Sequence, residues 1–399
     1  MAVRSLQRPD VQPGAADPVA AAERLAPRIA ELADRIEAER RLPPELLAEL
    51  HAARLFRLLL PASLGGLETD PLTFFHAIEA VAKADASTAW CLSQAAGCAM
   101  AAPYLDPAIA REMFGPADAV LAWGPPTRPP RAVMVEGGFR VTGSWSFLSG
   151  GRHASWVGAH CLLYAADGTA LVEPNGKPTE RTLLMRADSV DWTDIWSVMG
   201  LRGTASDAYA VSDRFVPAGY SVRRDHAPDR RETGPLYRMT TLALFPVGFA
   251  GVALGLARSV LDSFLGLGRK VPRGVRHALR DNHAVQSDLA QAEAGVQAAR
   301  RHLLFELERI WREVTASGEF TLDQRMTIRL AATHAIHQAR QAVDFAYHAA
   351  GATAIFATHP MERRFRDMHT VTQQVQARRA NFETVGAFLL GAEPDLTFV

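Results

Sequence analysis

Aromatic rings and hydroxyl groups crowd one short stretch of this chain. GSWSFLSGGRHASWV, residues 143–157, places two tryptophans, a phenylalanine, four serines, three glycines, an arginine and a histidine within fifteen positions. Such a mixture offers ring stacking and hydrogen bonding. The nucleophilic serine of a hydrolase is not on offer, because the sequence has no G-x-S-x-G elbow. Neither standard phosphate loop occurs: there is no G-x-G-x-x-G after a strand and no G-x-x-x-x-G-K-[ST]. GLRGTASD, residues 200–207, bears glycines but lies among strand-like runs and is not read as a phosphate cradle. His334 and His337 stand three apart on a helical stretch, a spacing compatible with a metal. No carboxylate or third histidine joins them at ligand spacing, so the pair reads as structural and no metal site is expected.

The elements that position this stretch follow from composition and pattern. The chain has 399 residues, 48% hydrophobic and 22% charged. At roughly 100–200 residues per domain this means two or three packed units with ample core. Lys plus Arg and Asp plus Glu both number 43, so no net field draws the protein to nucleic acid or anionic lipid. Three cysteines without a C-x-x-C pair indicate a reducing compartment. MAVRSLQRPDVQPGAADPVAAAERL has prolines and polar groups where a signal peptide needs an apolar run. The most apolar stretch, LALFPVGFAGVALGLA, is sixteen residues long. That is short of the roughly 20 a bilayer demands, so it reads as a core helix. A soluble cytoplasmic protein is expected.

Residues 1–18 read as a flexible leader. Helical period then sets in, with Leu25, Ile29, Leu32 and Ile36 on one face. Pro43 and Pro44 end that helix and begin PELLAELHAARLFRLLL, read as one helix up to PASLGG. Further helices are predicted at 71–84, 86–102 and 107–114. Prolines then multiply, and AVMVEGGFRVTGSW alternates apolar and polar residues around Glu136, Gly137 and Gly138, which predicts a hairpin. Short strands continue to DRFVP at 213–217. Helices return from about 236. Gly248, Gly251 and Gly255 share a face that lets another helix come close. Leu289, Val296, Leu303 and Ile310 recur every seven residues, the stripe of a long bundle helix. A helix ending at Gly351 follows, and a last one from about 360 to 390. The expected plan is a mostly α member of the α+β class: an N-terminal helical domain over 19–118, a β-barrel or sandwich domain over 119–235, and a C-terminal four-helix bundle over 236–399.

That plan and four ordered landmarks resemble the acyl-CoA dehydrogenase fold superfamily. GSWSFLSG stands at the family's Gly-x-Lys-x-Trp-Ile-Thr-Asn strand, and WSVMGLRGTASDAYAVSDRFVP resembles its Trp-x-x-x-Gly-x-Arg-x-Thr-x-Ser segment. GRKVPRG with NHAVQSDLAQAEA looks like its Arg-Lys-x-x-Phe-Gly turn and following helix. HAAGATAIFATHPMERRFRD stands at its Gln-x-x-Gly-Gly turn and Glu-Arg-x-x-Arg-Asp helix. The resemblance runs from about residue 20 to 390.

It implies a flavin, FMN or FAD, lying along the 143–150 strand. Phe147 then takes the place of the ring-stacking tryptophan, and Ser149 that of a threonine hydroxyl near flavin N5. Trp123 matches the segment lining the other edge of the ring. Arg269 and Gln286 match positions that hold cofactor phosphate, often across a subunit boundary, and an Arg fork suits pyrophosphate. His348 and Gly351 stand where the family meets the neighbouring subunit's cofactor. Trp145 and Trp156 read as sheet core.

The resemblance also bears on the reaction. A dehydrogenase of this family needs a carboxylate to take an α-proton from an acyl thioester. The usual location, eight residues past Asp367, is Val375, and the alternative falls near Phe245; neither is acidic. ADASTAW, VTGSWSFLSGGRHASWV and RDMH resemble instead the two-component (group D) flavin-dependent monooxygenases. Those take reduced flavin from a separate reductase and oxygenate small aromatic or heteroatom-bearing compounds through a C4a-hydroperoxide, which requires a dry chamber and hydrogen-bond donors. Ser149 and His369 are the candidate donors. Seven residues past Asp367, where that branch often carries a second histidine, stands Gln374, whose amide donates a hydrogen bond but shuttles no proton. A homotetramer, or a homodimer, is implied by likeness. The other readings are an acyl-CoA dehydrogenase-type enzyme with a displaced base, and a non-catalytic flavin-binding homologue.

Overall fold

The computed structural model describes residues 17–399, so residues 1–16 of the expected leader lie outside the described residues. Five helices open the chain: α1 (Pro18–Glu39), α2 (Pro44–Ala52), α3 (Pro71–Ala84), α4 (Ala86–Ala99) and α5 (Pro107–Phe114). Each of α1, α3, α4 and α5 starts at an aspartate whose carboxylate accepts backbone N–H groups: Asp17, Asp70, Asp85 and Asp106. α2 ends well before the expected boundary. Arg54 adopts φ +59°, and Leu55 to Leu60 are buried on every side, where a surface helix would bury one face. Arg54 reaches the carbonyls of Gly65 and Gly66, which fixes this left-handed break.

The strands are β1 (Leu121–Trp123), β2 (Arg131–Val135), β3 (Gly138–Leu148), β4 (Trp156–Tyr164), β5 (Glu180–Arg186), β6 (Asp191–Thr193), β7 (Asp207–Pro217) and β8 (Ser221–Val222). They form one mixed sheet in the order β6-β7-β3-β2-β4-β5-β8, with β1 added parallel to β4. The expected hairpin is β2–β3, where Val135 pairs with Gly138 and Gly137 takes φ +77°. Trp145, fully buried, stacks on Tyr209 at 5.0 Å, and Trp156 stacks on Tyr220, so both belong to packing as expected.

Five helices complete the chain: α6 (Thr241–Leu265), α7 (His283–Ser317), α8 (Leu322–Ala350), α9 (Pro360–Val371) and α10 (Ala380–Leu389). The expected single last helix is two. Between them Asn381 donates to the carbonyls of Val375 and Gln376, while Thr333 of α8 donates to Gln376. These buried polar contacts hold residues 372–379 out of α-helical geometry, leaving one 3-10 turn at Val375–Ala377. α6 is 25 residues long, enough by length and composition to cross a membrane, yet it is buried within the fold as the core helix the sequence suggests. It packs against α3, α4, α8 and α9, and one apolar cluster runs through all of them.

The three glycines of α6 make that packing possible. A Cβ on Gly251 would stand 3.2 Å from the Phe75 carbonyl, and one on Gly255 only 2.5 Å from that of Glu79. Glu79 in turn clamps α3 to α7. Burial alone would raise its carboxyl, but two hydrogen bonds from Arg300, at 2.6 and 2.7 Å, hold it down at about 2. Gly255→Ala gains roughly 1 kcal/mol of helix propensity. The clash with α3 backbone costs about 1–3 kcal/mol. We therefore expect a lower denaturant midpoint for Gly255→Ala; an unchanged or higher midpoint refutes the close α3–α6 approach.

Candidate active site

The stretch 143–157 folds as the end of β3 and a tight turn. Between Trp145 and Leu148 the β3–β7 register shifts, and Phe147 takes φ +59°, an uncommon conformation for an aromatic residue. The bulge turns the Phe147 ring outward, 56% exposed, with Trp196 edge-on at 6.0 Å. Gly124, just after β1, lies so close that a Cβ would fall on the Ser146 carbonyl. Trp123 itself is buried: Arg224 covers one face at 5.1 Å and His160 meets it edge-on at 5.3 Å. Burial holds His160 well below its ordinary pKa, so it stays neutral beside that cation. His153 serves structure, accepting the Leu42 N–H and docking the turn on the loop after α1.

Two residues beyond Phe147, Ser149 enters a buried hydroxyl line. The Trp90 indole N–H of α4 donates to Ser149 Oγ at 2.9 Å. Ser149 meets Ser206 at 2.7 Å, Ser206 meets Thr204 at 2.7 Å, and Thr204 donates to the Leu201 carbonyl at 2.8 Å. From Trp90 an aromatic wall extends along α6, with Phe249 stacked at 4.1 Å and Phe245 at 5.9 Å from Phe249. Buried carboxylates on these elements already have partners. Asp85 caps α4, and Asp207, opposite Leu148, pairs with Arg152 at 2.7 Å.

α9 abuts the same loop. Asp367 accepts the Leu201 N–H at 2.6 Å, and Arg366 donates to the Met199 carbonyl. One turn further, His369 Nε2 pairs with Asp344 of α8 at 2.9 Å, against the Phe365 ring. Gln374 caps the following turn through its Oε1, while its amide nitrogen is buried with no partner. Arg269 and Gln286 come together in a cleft of about 370 Å³, also lined by Leu265 and Arg280. His348 lines a separate groove of about 710 Å³ between α7 and α8 with Phe345 and Gln338. Gly351, at φ +59°, ends α8, and Lys270 donates to the preceding Ala350 carbonyl, tying the Arg269 loop to that helix end.

Two family models match the chain: the acyl-CoA dehydrogenase N-terminal domain over residues 19–107 and the acyl-CoA dehydrogenase C-terminal domain over residues 247–379. An indole-3-acetate monooxygenase of Pseudomonas putida is 30% identical over 359 residues, covering 89% of either chain. The chain belongs to the acyl-CoA dehydrogenase family, in its flavin-dependent monooxygenase branch. The flavin-dependent monooxygenase oxygenase subunit HsaA of Mycobacterium tuberculosis is 28% identical over 92% of each chain. Its crystal structure superposes with a TM-score of 0.85, covering 96% of this chain and 100% of that one. XiaF from Streptomyces, solved with FADH2 and glycerol, shares the fold at TM-score 0.86, 24% identity and 96% coverage of both chains.

For a member of this family, the groups present fit a flavin: an outward aromatic face, a buried hydroxyl beside it, an orphaned amide donor, and a cleft bearing an arginine. The sequence reading missed Trp90, Thr204 and Ser206. ADASTAW carried the first, and the Thr-x-Ser of GLRGTASD carried the other two, but nothing in a linear pattern shows that they converge on Ser149.

The Asp367 contact makes stability depend on pH. Burial raises its carboxyl to about 7 against the pull of the Leu201 N–H, with Asp85 and Glu37 adding to the rise and Arg363 opposing it. Unfolded, it titrates near about 3.9. The folded state holds the proton more tightly, so this group's contribution is full below the unfolded value and is lost as pH climbs through about 7. Asp367→Asn keeps the acceptor oxygen without charge. Relative to wild type it is expected to gain stability between pH 6 and 8; parallel denaturant midpoints for the two proteins across that range refute this.

Proposed function

We propose that this protein oxygenates a small aromatic or heteroatom-bearing compound with molecular oxygen, using reduced FMN or FAD delivered by a separate reductase. Bound reduced flavin supplies the electrons that activate oxygen. The chain's own residues hold the ring and keep water out. Phe147 gives the ring an aromatic face, and Ser149 meets its N5 edge. Gln374 and His369 line the α9 side, the first with a free amide donor and the second with an imidazole oriented by Asp344. Arg269 and Gln286 hold the phosphate, and His348 and Gly351 meet the cofactor of a neighbouring subunit.

The observation that carries this reading is what stands at the two base positions. Phe245 is part of the aromatic wall on α6, and Val375 sits in the turn after α9. A thioester dehydrogenase needs an ionised carboxylate there, whereas an oxygenating site needs an apolar chamber. The similarity to HsaA and to indole-3-acetate monooxygenase supports the same conclusion.

We further propose a homotetramer in the cytoplasm. Exposed Phe305, Ile355 and Phe356, with the groove beside His348, supply apolar surface for subunit contacts. Cys91, Cys98 and Cys161 are all free and buried, which suits a reducing compartment. Light scattering on the purified chain should return the mass of four chains; a monomer overturns this assembly.

Purified protein supplied with reduced flavin, oxygen and a panel of small phenols and indoles should form hydroxylated product. In Ser149→Ala the ratio of product to released hydrogen peroxide should fall about fivefold, the size expected for one lost hydrogen bond. Bleaching of bound oxidised flavin by an acyl-CoA, without oxygenated product from any panel member, overturns the reading in favour of a dehydrogenase.

A further inference from the structure

The hydroxyl line behind Ser149 has a fixed proton order. Ser206 and Thr204 are 1% and 0% exposed, so water does not complete their hydrogen bonds, while Ser149, 8% exposed, is the end of the line that faces outward. Each hydroxyl carries one proton, whereas a carbonyl oxygen only accepts. The contact between Thr204 Oγ1 and the Leu201 carbonyl, 2.8 Å, therefore takes the Thr204 proton. With that proton used, the 2.7 Å contact between Ser206 and Thr204 needs the Ser206 proton, and the 2.7 Å contact between Ser149 and Ser206 needs that of Ser149. Any other order leaves two buried oxygens in contact with no proton between them, at the cost of an unmade hydrogen bond.

The Trp90 N–H occupies one lone pair of Ser149 at 2.9 Å. What remains for a ligand is a single lone pair and no proton. The sequence alone casts Ser149 as a donor; the relay makes it an acceptor.

We propose that Thr204 and Ser206 are positioning residues that polarise Ser149 as an acceptor, so that the site selects reduced over oxidised flavin. The inference rests on the flavin-site reading above. Two-electron-reduced isoalloxazine carries a hydrogen on N5 and donates to Ser149. The oxidised ring presents a lone pair there, and two acceptors facing each other repel. A protein fed with reduced flavin by a reductase gains from that sign: it captures the form it uses and lets the spent form leave. Trp90 sits outside the proton order, because it donates to Ser149 whichever way the relay runs.

The test is anaerobic titration of the full chain with reduced and with oxidised FMN and FAD, read as the ratio of the two dissociation constants. Wild type is expected to bind the reduced form more tightly. Ser206→Ala frees the Ser149 proton to point outward, and the ratio should fall about tenfold, the scale of one hydrogen bond reversed in sense. Thr204→Val should act the same way, since the Ser206 proton then turns back to Ser149, while Thr204→Ser should restore the wild-type ratio. Trp90→Phe should keep the preference for reduced flavin. Packing damage weakens both forms together and leaves the ratio alone, so the ratio isolates the relay. A ratio unmoved in both Ser206→Ala and Thr204→Val, or a wild type that prefers oxidised flavin, overturns the relay and leaves the flavin site standing. Binding of neither form by wild type overturns both.

Discussion

The peptide of Leu201 is the contact on which the arrangement of the site depends. It sits at φ +50°, a conformation that costs a non-glycine residue roughly 1–2 kcal/mol. Hydrogen bonds on both sides outweigh that cost. Asp367 of α9 accepts its N–H, and its carbonyl accepts from Thr204 and from the Trp196 indole at 3.0 Å. Gly200, one residue earlier, lies so near the Arg366 carbonyl that a side chain could not fit. The loop of the β region and the last part of the helical region thus fix each other. Through Thr204 the same peptide sets the orientation of Ser149, and through Trp196 it supports the edge of the Phe147 ring.

Charge is distributed to suit this. Arg366 pairs with Glu362 and Glu37, Arg152 with Asp207 and Asp194, and Arg40 with Asp194. These pairs join α9 to α1 and the end of α1 to the β region, and Arg152 occupies Asp207, the carboxylate next in sequence to Ser206 of the hydroxyl line. Their worth as stabilising pairs is small where they are exposed. Their consequence for the chemistry is larger, because a paired carboxylate is a poor base and a weak field source in a dry chamber.

Much of the fold was legible because it is written in short-range pattern. The stripe on α1, the heptad on α7, the Glu136-Gly137 hairpin and the glycine face of α6 each express a local period or a local conformational need. The departures came where tertiary contacts outweigh that period. Leu55 to Leu60 look like helix but are enclosed on all sides, and residues 372–379 are drawn into polar contacts with α8. From local pattern alone the candidate site was legible only as single residues, and the family resemblance is what grouped them. Phe147 and Ser149 stand on one bulge and could be found together. Arg269 and Gln286 share a cleft that their separation of seventeen positions does not announce. The relay could not be read at all, since its direction is set by a backbone carbonyl, and a sequence does not print carbonyls.

A fold shared with thioester dehydrogenases does not dictate their reaction, and the difference here is small in atoms. In the proposed reading, the two positions that would carry a carboxylate hold Phe245 and Val375, and the stacking position holds Phe147 on a bulge at φ +59°. α4 presents the Trp90 indole to Ser149 at the end of β3, and α9 grips the loop before β7 through Asp367. On the flavin-site reading, the hydroxyl line supplies, alongside His369, a polar group that neither gains nor loses a proton near neutral pH. Such a group orients a cofactor without attacking a substrate. In the proposed reading, that is what allows one architecture to move from pulling hydrogen off a thioester to holding a reduced ring while oxygen reacts.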